Sequence, residues 1–372
     1  MILILLLFLL IYVATIAQII AGFNCIKTFH LRETLPKTFF AIIVPFRNES
    51  QNLPVLLNSI KKLNYPIDLF EIILIDDSSE DDSVRQVYNW RMENGIFKTT
   101  LLENIRLSNS PKKDAISRAI PIIKNEWVVT TDADCIVPEN WLMTLDNYIQ
   151  NHTVSMLVGS VTYDCKKSFL HHFQQLDLMS LQGSTIGSFG MKLPFMCNGA
   201  NFCYTKSLFQ ELNGFVGNNK LASGDDVFLL QKAVQKYPEK VHYLKSKTAI
   251  VQSKPVKTWR ELFFQRVRWA SKTSSYESIF GKDLAVLVFT TNLVIIISCL
   301  LALGSWLSWR DATLLFLLKF ITDYMLLYKT NRFLLKKRMR YLLLSSLVYP
   351  FFCVTVAVFS WFGRYEWKER RF

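Results

Sequence analysis

Three long uncharged stretches restrict the possible folds of this 372-residue chain more than any other feature of its sequence. Residues 1–26, 284–309 and 341–363 contain no Asp, Glu, Lys or Arg. About 20 apolar residues in a helix cross the ~30 Å hydrocarbon core of a bilayer, and each stretch is long enough. The sequence therefore predicts a multi-pass integral membrane protein. Its 51% hydrophobic content also excludes a disordered scaffold.

The first stretch is predicted to be an uncleaved N-terminal transmembrane anchor over residues 1–26. A cleaved signal peptide is the alternative, but such a peptide carries its positive residues before the apolar run. Here Lys27, Arg32 and Lys37 follow the run.

A C-terminal membrane region is predicted over residues 284–363. Its middle segment, 312–328, is apolar apart from Lys319 and Asp323, which stand four positions apart. One helix would place these two side chains together and so lower the cost of burying both charges. With the anchor, this predicts one N-terminal and about three C-terminal transmembrane helices.

Basic residues predict the orientation. The loop between the last two segments has no acidic residue, and the positive-inside rule assigns it to the cytoplasm. The large domain then lies in the cytoplasm too, at the inner membrane if the cell is bacterial. The basic tail, 364–372, would fall outside, unless 341–363 is a re-entrant segment bent at Pro350. The basic residues of the loop are Lys329, Arg332, Lys336, Lys337, Arg338 and Arg340.

Residues 38–280 are predicted to form one soluble α/β domain. Short β-rich runs alternate there with amphipathic helical stretches, which is typical of a layered α/β fold. The predicted strands are 39–45, 71–76, 99–102 and 127–131, and the predicted helices are 52–63, 82–94 and 111–123.

Carboxylates follow two of these strands. Ligands of open α/β sheets bind beyond the carboxyl ends of the strands, so Asp76 and Asp77 are candidates to bind a ribose or a base. Asp132 and Asp134, two positions apart, suit a hard cation such as Mg²⁺ that bridges two phosphates. The alternatives are ordinary turn or helix-cap carboxylates.

Four other charged residues have two interpretations each. Asp225 and Asp226 begin an amphipathic helix, where they are either a general base or caps that offset the helix dipole. Arg47 and Glu49 either line a nucleotide pocket or form a charge pair in a loop.

Two lysines begin the predicted helix at 111–123. Lys112 is a candidate to neutralise a phosphate, whereas Lys113 is predicted to lie on a solvated face.

An aromatic and basic helix over 258–271 precedes the C-terminal membrane region. Helical spacing puts Gln265, Arg268 and Trp269 on one face, while Arg266 falls within the apolar face and is expected to extend its charge to solvent. Such a helix is typical of the membrane interface. The adjacent spans favour this interpretation over nucleic-acid binding, although the chain carries a net charge of +13.

The ordered set of motifs resembles the membrane-embedded family 2 glycosyltransferases, which include cellulose, chitin and hyaluronan synthases, and the ceramide glucosyltransferases are similar. The similarity covers about residues 40–275 and the flanking membrane plan. It rests on Val44-Pro45-x-x-Asn48-Glu49, Asp76-Asp77, Lys112, Asp132-x-Asp134, Asp225-Asp226 and Gln265-x-x-Arg268-Trp269.

The resemblance implies a GT-A fold with a Rossmann-like mixed sheet, a nucleotide-sugar donor (a UDP-sugar) and a divalent metal, Mg²⁺ or Mn²⁺. It implies that Asp226 is the general base and that Asp134, with Asp132, binds the metal. The implied donor-binding residues are Pro45, Arg47, Glu49, Asp76, Asp77, Lys112 and Asp132. The implied acceptor and diphosphate residues are Asn198, Gly199, Asn201, Asp225, Gln265, Arg268 and Trp269.

The implied activity is inverting transfer of a sugar to a lipid or lipid-linked glycan at the cytoplasmic membrane face. Only three membrane segments follow the domain, fewer than polymer synthases generally use to build a channel. A processive polysaccharide synthase is therefore the alternative, and an inactive nucleotide-binding partner of a membrane complex is a more distant one. Ser110-Pro111-Lys112-Lys113 also stands where the family usually has Gly-Lys.

Overall fold

The structure is a computed structural model that describes residues 2–217, 224–272, 275 and 277–361, with the backbone of 366–367 and 370–371. The chain divides into two compact units. The sheet unit comprises Lys27–Asp164 and Met196–Lys254, and the helical unit comprises Met1–Ile26, Cys165–Phe195 and Pro255–Phe372. The region predicted as one soluble domain, 38–280, is thus distributed over both units.

The sheet unit confirms the predicted α/β class. The four predicted strands form within one or two residues of their expected bounds, because each is a short apolar run enclosed by polar loops. Its strands are β1 (Phe40–Phe46), β2 (Phe70–Asp76), β3 (Thr99–Glu103), β4 (Trp127–Thr130), β5 (Met156–Gly159), β6 (Val161–Tyr163), β7 (Phe202–Thr205), β8 (Val241–Leu244) and β9 (Val251–Ser253). Its helices are α2 (Leu53–Lys61), α3 (Ser83–Glu93), α4 (Pro111–Ala119), α5 (Trp141–Asn151), α7 (Lys206–Glu211) and α8 (Asp225–Lys236).

Seven strands form the main sheet in the order β3-β2-β1-β4-β7-β5-β8. The strands β3, β2, β1 and β4 are parallel, whereas β7 runs antiparallel to both of its neighbours. This is the mixed, Rossmann-like sheet that the family resemblance implies. The separate pair of β6 and β9 is parallel. Apolar side chains of β1 and β2 are almost completely buried, so the sheet holds its polar strand ends on a rigid base.

The helical unit contains six helices within the described residues. They are α1 (Ile2–Cys25), α6 (Phe169–Gly190), α9 (Trp259–Ala270), α10 (Ile279–Leu303), α11 (Trp309–Leu334) and α12 (Leu342–Trp361). α1, α10 and α12 are long and apolar enough to cross a membrane, and α11 is not, because charged residues interrupt it. The expectation of about three C-terminal spans is thereby corrected to two candidates.

The charged pair predicted in the middle C-terminal segment is confirmed. Lys319 Nζ lies 2.6 Å from Asp323 Oδ2 on α11. Tyr12 on α1 donates a 2.5 Å hydrogen bond to the other carboxylate oxygen of Asp323. Pairing of this kind removes much of the cost of placing two charges among apolar helices.

Sequence reasoning missed α6, the 22-residue helix of this unit. Residues on most of its circumference are buried, so it lacks the one-sided apolar pattern that identifies a surface helix. α6 packs closely against α1 through small residues: a methyl group on Gly187 would contact the carbonyl oxygen of Ile19, and one on Gly190 would contact that of Gly22. Backbones approach this closely only where side chains are absent.

Two further expectations concern the chain end. Pro350 lies inside α12, which is one described helix from Leu342 to Trp361. Most of the predicted basic tail, 364–372, lies outside the described residues. Its described backbone forms two short antiparallel strands, β10 (Glu366–Trp367) and β11 (Arg370–Arg371).

Candidate functional site

The site lies in the sheet unit, where the parallel strands end. Register pairs Phe46 with Asp76 and Ile43 with Thr130, so the polar residues after β1, β2 and β4 emerge at one edge. The strand order reverses between β1 and β4, and crevices at such a reversal are the usual ligand sites of open α/β sheets.

Lys112 lies at the centre of this edge, on the first turn of α4. Its Nζ donates to Asp132 Oδ1 at 2.6 Å and lies 3.4 Å from Asp225 Oδ2. Burial opposes its charge, but Asp132, Asp225 and Asp226 outweigh burial and raise the pKa of Lys112 above its usual value. The ammonium group therefore stays charged among three carboxylates, one that follows β4 and two at the start of α8.

Asp134 is the second carboxylate after β4. Ser253 Oγ donates to its Oδ2 at 3.2 Å, and the thiol of Cys135 lies 3.6 Å from its Oδ1. Burial raises the pKa of Asp134 to about 6, and the negative charges of Asp132 and Glu49 add to the increase. Part of this increase therefore comes from carboxylates that crowd the same edge of the sheet.

The carboxylates fit a divalent cation that is shared with a ligand. Within residues 2–217, 224–272 and 277–361, no group of three or more His, Cys, Asp and Glu side chains is arranged to hold a metal alone. Mg²⁺ usually takes one or two protein carboxylates and completes its shell with water and substrate phosphates. Asp134 and Asp132 offer such a pair, and a cation bound there would offset the burial and the neighbouring charges that raise the pKa of Asp134.

Asp226 faces the loop before β7. The backbone N–H of Gly199 donates to Asp226 Oδ2 at 2.8 Å, and that of Val227 donates to Oδ1 at 2.8 Å. Gly224 precedes α8 with a φ of 88°, which glycine adopts easily and which turns the chain into the helix at Asp225. Two backbone donors therefore fix the orientation of the Asp226 carboxylate.

Charged groups crowd around Gly199. An added Cβ would lie 3.1 Å from Lys112 Nζ, 3.2 Å from Asp225 Oδ2 and 3.5 Å from the Cβ of Asp226. Thr130 Oγ1 donates to its carbonyl oxygen at 2.7 Å. The loop backbone is thereby fixed between β4 and α8.

Asn198 and Asn201 hold this loop in shape. Asn198 Oδ1 accepts from the N–H of Ala200 at 3.0 Å. Asn201 is buried; its Nδ2 donates to two carbonyl oxygens, those of Ser160 and Ala249, and its Oδ1 accepts from Trp141 Nε1. The sequence singles out Asn201 as an acceptor residue, whereas its described contacts belong to the interior of the unit.

Asp77 is tied to two residues that sequence reasoning missed. Arg106 donates two hydrogen bonds to the Asp77 carboxylate, from Nε at 2.8 Å and from Nη2 at 2.9 Å, and Asn104 Nδ2 donates a third at 2.8 Å. Asp76 accepts instead from the N–H of Ser79, as a turn carboxylate does. Neither Arg106 nor Asn104 belongs to a motif, so no sequence signal identified them.

Arg47 and Glu49 follow β1. Arg47 Nη1 donates to the carbonyl oxygens of Asp77 and Ser78, and its Nη2 pairs with Glu80 at 2.7 Å, so Arg47 holds the loop after β2. Glu49 Oε2 accepts from Asn52 Nδ2 at 2.6 Å.

Pro45 and Lys254 flank this region. Pro45 lies within β1 and pairs in register with Ile75. Lys254, which sequence reasoning missed, donates from Nζ to Asn52 Oδ1 at 2.6 Å, immediately after β9. It adds a cation on the Glu49 side of the edge.

The prediction for Lys113 is wrong. Its side chain is buried, with 1% exposed, and its ammonium lies 5.1 Å from the centre of the Phe228 ring. The helix start that directs Lys112 toward the carboxylates therefore directs its neighbour into the interior.

Sequence reasoning also missed the buried Tyr204. Burial and then Asp225 raise the pKa of its hydroxyl, and Lys112 opposes the increase.

The motif residues Gln265, Arg268 and Trp269 lie on α9, which belongs to the helical unit. A capping box of Thr258 and Glu261 starts the helix. The expectation that Arg266 extends to solvent is wrong.

Arg266 is 5% exposed and its Nε donates to Asp177 of α6 at 2.5 Å. An ion pair inside the unit neutralises the charge that would otherwise need water. Because Asp177 is 89 positions away, the sequence does not reveal the partner.

Sequence comparison assigns the family. The profile of Glycosyl transferase family 2 matches residues 41–212, and that of Glycosyl transferase family group 2 matches residues 127–363, more than half of the chain. The chain belongs to the family 2 glycosyltransferases. The carboxylates after β4 and at α8, with the α9 motif, all lie within the matched ranges.

Curated relatives of this family 2 glycosyltransferase match it over part of their length. Poly(ribitol-phosphate) beta-N-acetylglucosaminyltransferase TarS of Staphylococcus aureus is 27% identical over 32% of this chain and 20% of TarS. Poly-beta-1,6-N-acetyl-D-glucosamine synthase of the same species is 26% identical over 37% of this chain and 32% of the synthase. The chain thus aligns with a third or less of either protein.

Structural comparison supports the GT-A fold. Mannosyltransferase PcManGT from Pyrobaculum calidifontis, solved in complex with GDP-Man and Mn²⁺, superposes with a TM-score of 0.57 and 18% sequence identity. The superposition covers 93% of this chain and 95% of that chain.

Proposed function

We propose that this family 2 glycosyltransferase transfers a sugar from a UDP-sugar to a lipid or lipid-linked glycan acceptor at the cytoplasmic membrane face, with inversion and with a divalent metal. The single observation that carries the proposal is the cluster at the sheet edge. Lys112 bridges Asp132 and Asp225, while Asp226 is oriented beside it by the N–H of Gly199. Such a cluster offers an ammonium group for a diphosphate, carboxylates for a metal ion and a carboxylate that accepts a proton.

The reaction is a single displacement at the anomeric carbon. A sugar hydroxyl is a poor nucleophile at neutral pH, so Asp226 accepts its proton as the new glycosidic bond forms. The bond between the anomeric carbon and the diphosphate oxygen breaks, and the nucleoside diphosphate leaves with the electron pair. The two backbone donors on Asp226 hold its carboxylate in one orientation for this transfer.

Positive charge stabilises the leaving diphosphate. Lys112 supplies a fixed ammonium for it, since the surrounding carboxylates keep that group charged. A divalent cation, when bound by Asp134 and Asp132, supplies Lewis-acid stabilisation of the same phosphates. Arg268 on α9 is the further cation that the family resemblance contributes.

The membrane helices support a lipid-linked acceptor. Three candidate spans in the described part of the chain keep the enzyme in the bilayer, where a lipid substrate is available. The basic loop around residues 329–340 supports the cytoplasmic orientation.

The test measures transfer from a panel of labelled donors by the full-length protein in membranes. UDP-GlcNAc, UDP-glucose and GDP-mannose are each incubated with and without EDTA, and the product is separated into solvent-extractable and precipitable fractions. We expect one donor to label the solvent-extractable fraction, with EDTA abolishing the transfer.

Three results would count against parts of the proposal. Transfer unaffected by EDTA contradicts metal use. A ladder of long precipitable chains identifies a processive synthase, the activity named for the Staphylococcus aureus relative. A lack of transfer from every donor contradicts the enzymatic assignment.

A further inference from the structure

A buried ion pair in the helical unit contacts two residues of the Gln265-x-x-Arg268-Trp269 motif. Asp177 on α6 and Arg266 on α9 are 6% and 5% exposed, and their Oδ2 and Nε atoms lie 2.5 Å apart. Neither residue is part of the motif that the family resemblance identifies. We propose that Asp177 is a positioning residue, which acts through Arg266 to hold Gln265 and Trp269. This inference rests on the proposed glycosyl transfer.

Arg266 presents three different surfaces to three neighbours. Its Nε contacts Asp177, its Nη1 donates to Gln265 Oε1, and its guanidinium carbon lies 4.2 Å from the centre of the Trp269 ring. A guanidinium is planar and rigid, so a carboxylate that fixes one edge also fixes the other edge and the face. Asp177 therefore sets the position of both motif side chains without contacting either of them.

The contact with Gln265 has a chemical consequence. Because Oε1 accepts from Arg266, the amide of Gln265 presents its Nε2 donors away from the guanidinium. An N–H donor suits a phosphate oxygen or a sugar hydroxyl, whereas an exposed amide oxygen would repel a phosphate. Arg266 thus selects the amide orientation that suits the proposed ligands.

The indole of Trp269 is held in the same way. A guanidinium over an aromatic face is attracted to the ring, and more strongly where water is excluded. When Asp177 loses its charge, the Nε edge of Arg266 is no longer held by a carboxylate, so the guanidinium that covers the Trp269 ring shifts.

A second contact from α6 supports this arrangement. Gln174, one turn before Asp177, is fully buried and bonds Val256 twice: its Nε2 donates to the carbonyl oxygen at 3.0 Å, and its Oε1 accepts from the N–H at 2.9 Å. Val256 lies just before α9. α6 therefore fixes both the start of α9 and its motif.

The chain offers a matched control. The Lys319–Asp323 pair of α11 also joins a buried cation to a carboxylate, at 2.6 Å, but it contacts Tyr12 and Tyr349 rather than the motif. Asp177→Asn and Asp323→Asn each leave one buried cation without its carboxylate. Destabilisation is thus common to both variants, whereas displacement of Trp269 is expected of Asp177→Asn alone.

The experiment uses full-length protein labelled with 5-fluorotryptophan in detergent, with the Trp269 resonance assigned by Trp269→Phe. We expect the ¹⁹F resonance of Trp269 to move from its wild-type position in Asp177→Asn. It should keep the wild-type position in Asp323→Asn and lie close to that position in Asp177→Glu. Transfer from the donor used by the wild type should fall about tenfold or more in Asp177→Asn and stay within about twofold in Asp323→Asn. If Asp177→Asn does not fold, Arg266→Lys keeps the charge beside Asp177 but lacks the planar fork, so it should shift the Trp269 resonance, and an unchanged resonance in that variant overturns the inference.

The fluorine measurement needs no substrate, so it is independent of the proposed function. A Trp269 resonance that is unchanged in Asp177→Asn, or equally shifted in Asp323→Asn, overturns the inference. Equal transfer rates for the two variants overturn it as well. Wild-type protein that is inactive with every donor contradicts the proposed function alone.

Discussion

Replacing Asp134 by Asn should stabilise the metal-free protein and abolish metal-dependent transfer. Burial, with the charges of Asp132 and Glu49, raises the pKa of Asp134 from its ordinary value of 3.8 to about 6. At 1.36 kcal/mol for each pKa unit, ionisation of Asp134 at neutral pH costs the fold about 3 kcal/mol. Asp134 is only partly buried, so solvent screening reduces the expected gain for Asp134→Asn to about 1–2 kcal/mol.

The sign of the pH dependence follows from linkage. The folded protein holds the Asp134 proton more tightly than the unfolded chain, so this residue favours folding below pH 4 and loses that contribution as the pH rises through about 6. In EDTA, Asp134→Asn should therefore exceed the wild type in Tm by about 1–3 °C at pH 7.5, since the unfolding entropy of a 372-residue chain is large. The difference should disappear as the pH approaches 4.

The assay is thermal unfolding of both proteins in detergent, with EDTA and then with Mn²⁺ and the donor. Ligands should raise the Tm of the wild type and leave that of Asp134→Asn unchanged. Asp114→Asn is the control of opposite sign, because the Asp114 carboxylate accepts from two backbone N–H groups and a hydroxyl and should lose stability when neutralised. A lower Tm for Asp134→Asn in EDTA at pH 7.5 would refute the reasoning.

Two other substitutions test the sheet-edge cluster. Lys112→Met removes the cation that lies 2.6 Å from Asp132 and should lower the initial transfer rate by about 10–100-fold. Lys112→Arg should retain most of the rate. A rate for Lys112→Met within twofold of the wild type contradicts the role of Lys112 in stabilising the diphosphate. Gly199→Ala places a methyl group 3.1 Å from Lys112 Nζ and should lower the rate about tenfold. Gly95→Ala is the control, because its methyl group would have only the carbonyl oxygen of Arg91 within 4 Å, and it should keep the wild-type rate. Equal rates for the two alanine variants would show that crowding at Gly199 has no effect.

Local pattern predicted the first half of the sheet well. The runs that become β1 and β2 are apolar, short and enclosed by polar loops, and parallel strands buried on both faces require such a composition. The same alternation placed Asp76 and Asp132 at strand ends. Their arrangement along one edge then follows from the topology of parallel strands.

The sequence did not predict pairs of residues that are far apart in the chain. The Arg106–Asp77 pair spans 29 positions and the Asp177–Arg266 pair spans 89, and neither lies within one element where a spacing rule applies. α6 escaped detection for a related reason: it is buried around most of its surface, and close glycine contacts rather than an apolar stripe position it. Lys113 was expected in solvent because it is charged, and its residue type alone does not reveal that it is buried beside the Phe228 ring.

The most direct test of the central claim compares wild-type protein and Asp226→Asn with the donor that the panel identifies. Both proteins are assayed for binding of the donor and for transfer to the solvent-extractable product. The account predicts donor affinity within about threefold and transfer at least ~10²-fold slower in Asp226→Asn, because the amide keeps the shape of the carboxylate but does not accept the proton. Transfer by Asp226→Asn at the wild-type rate would contradict the claim that this sheet-edge carboxylate is the catalytic base.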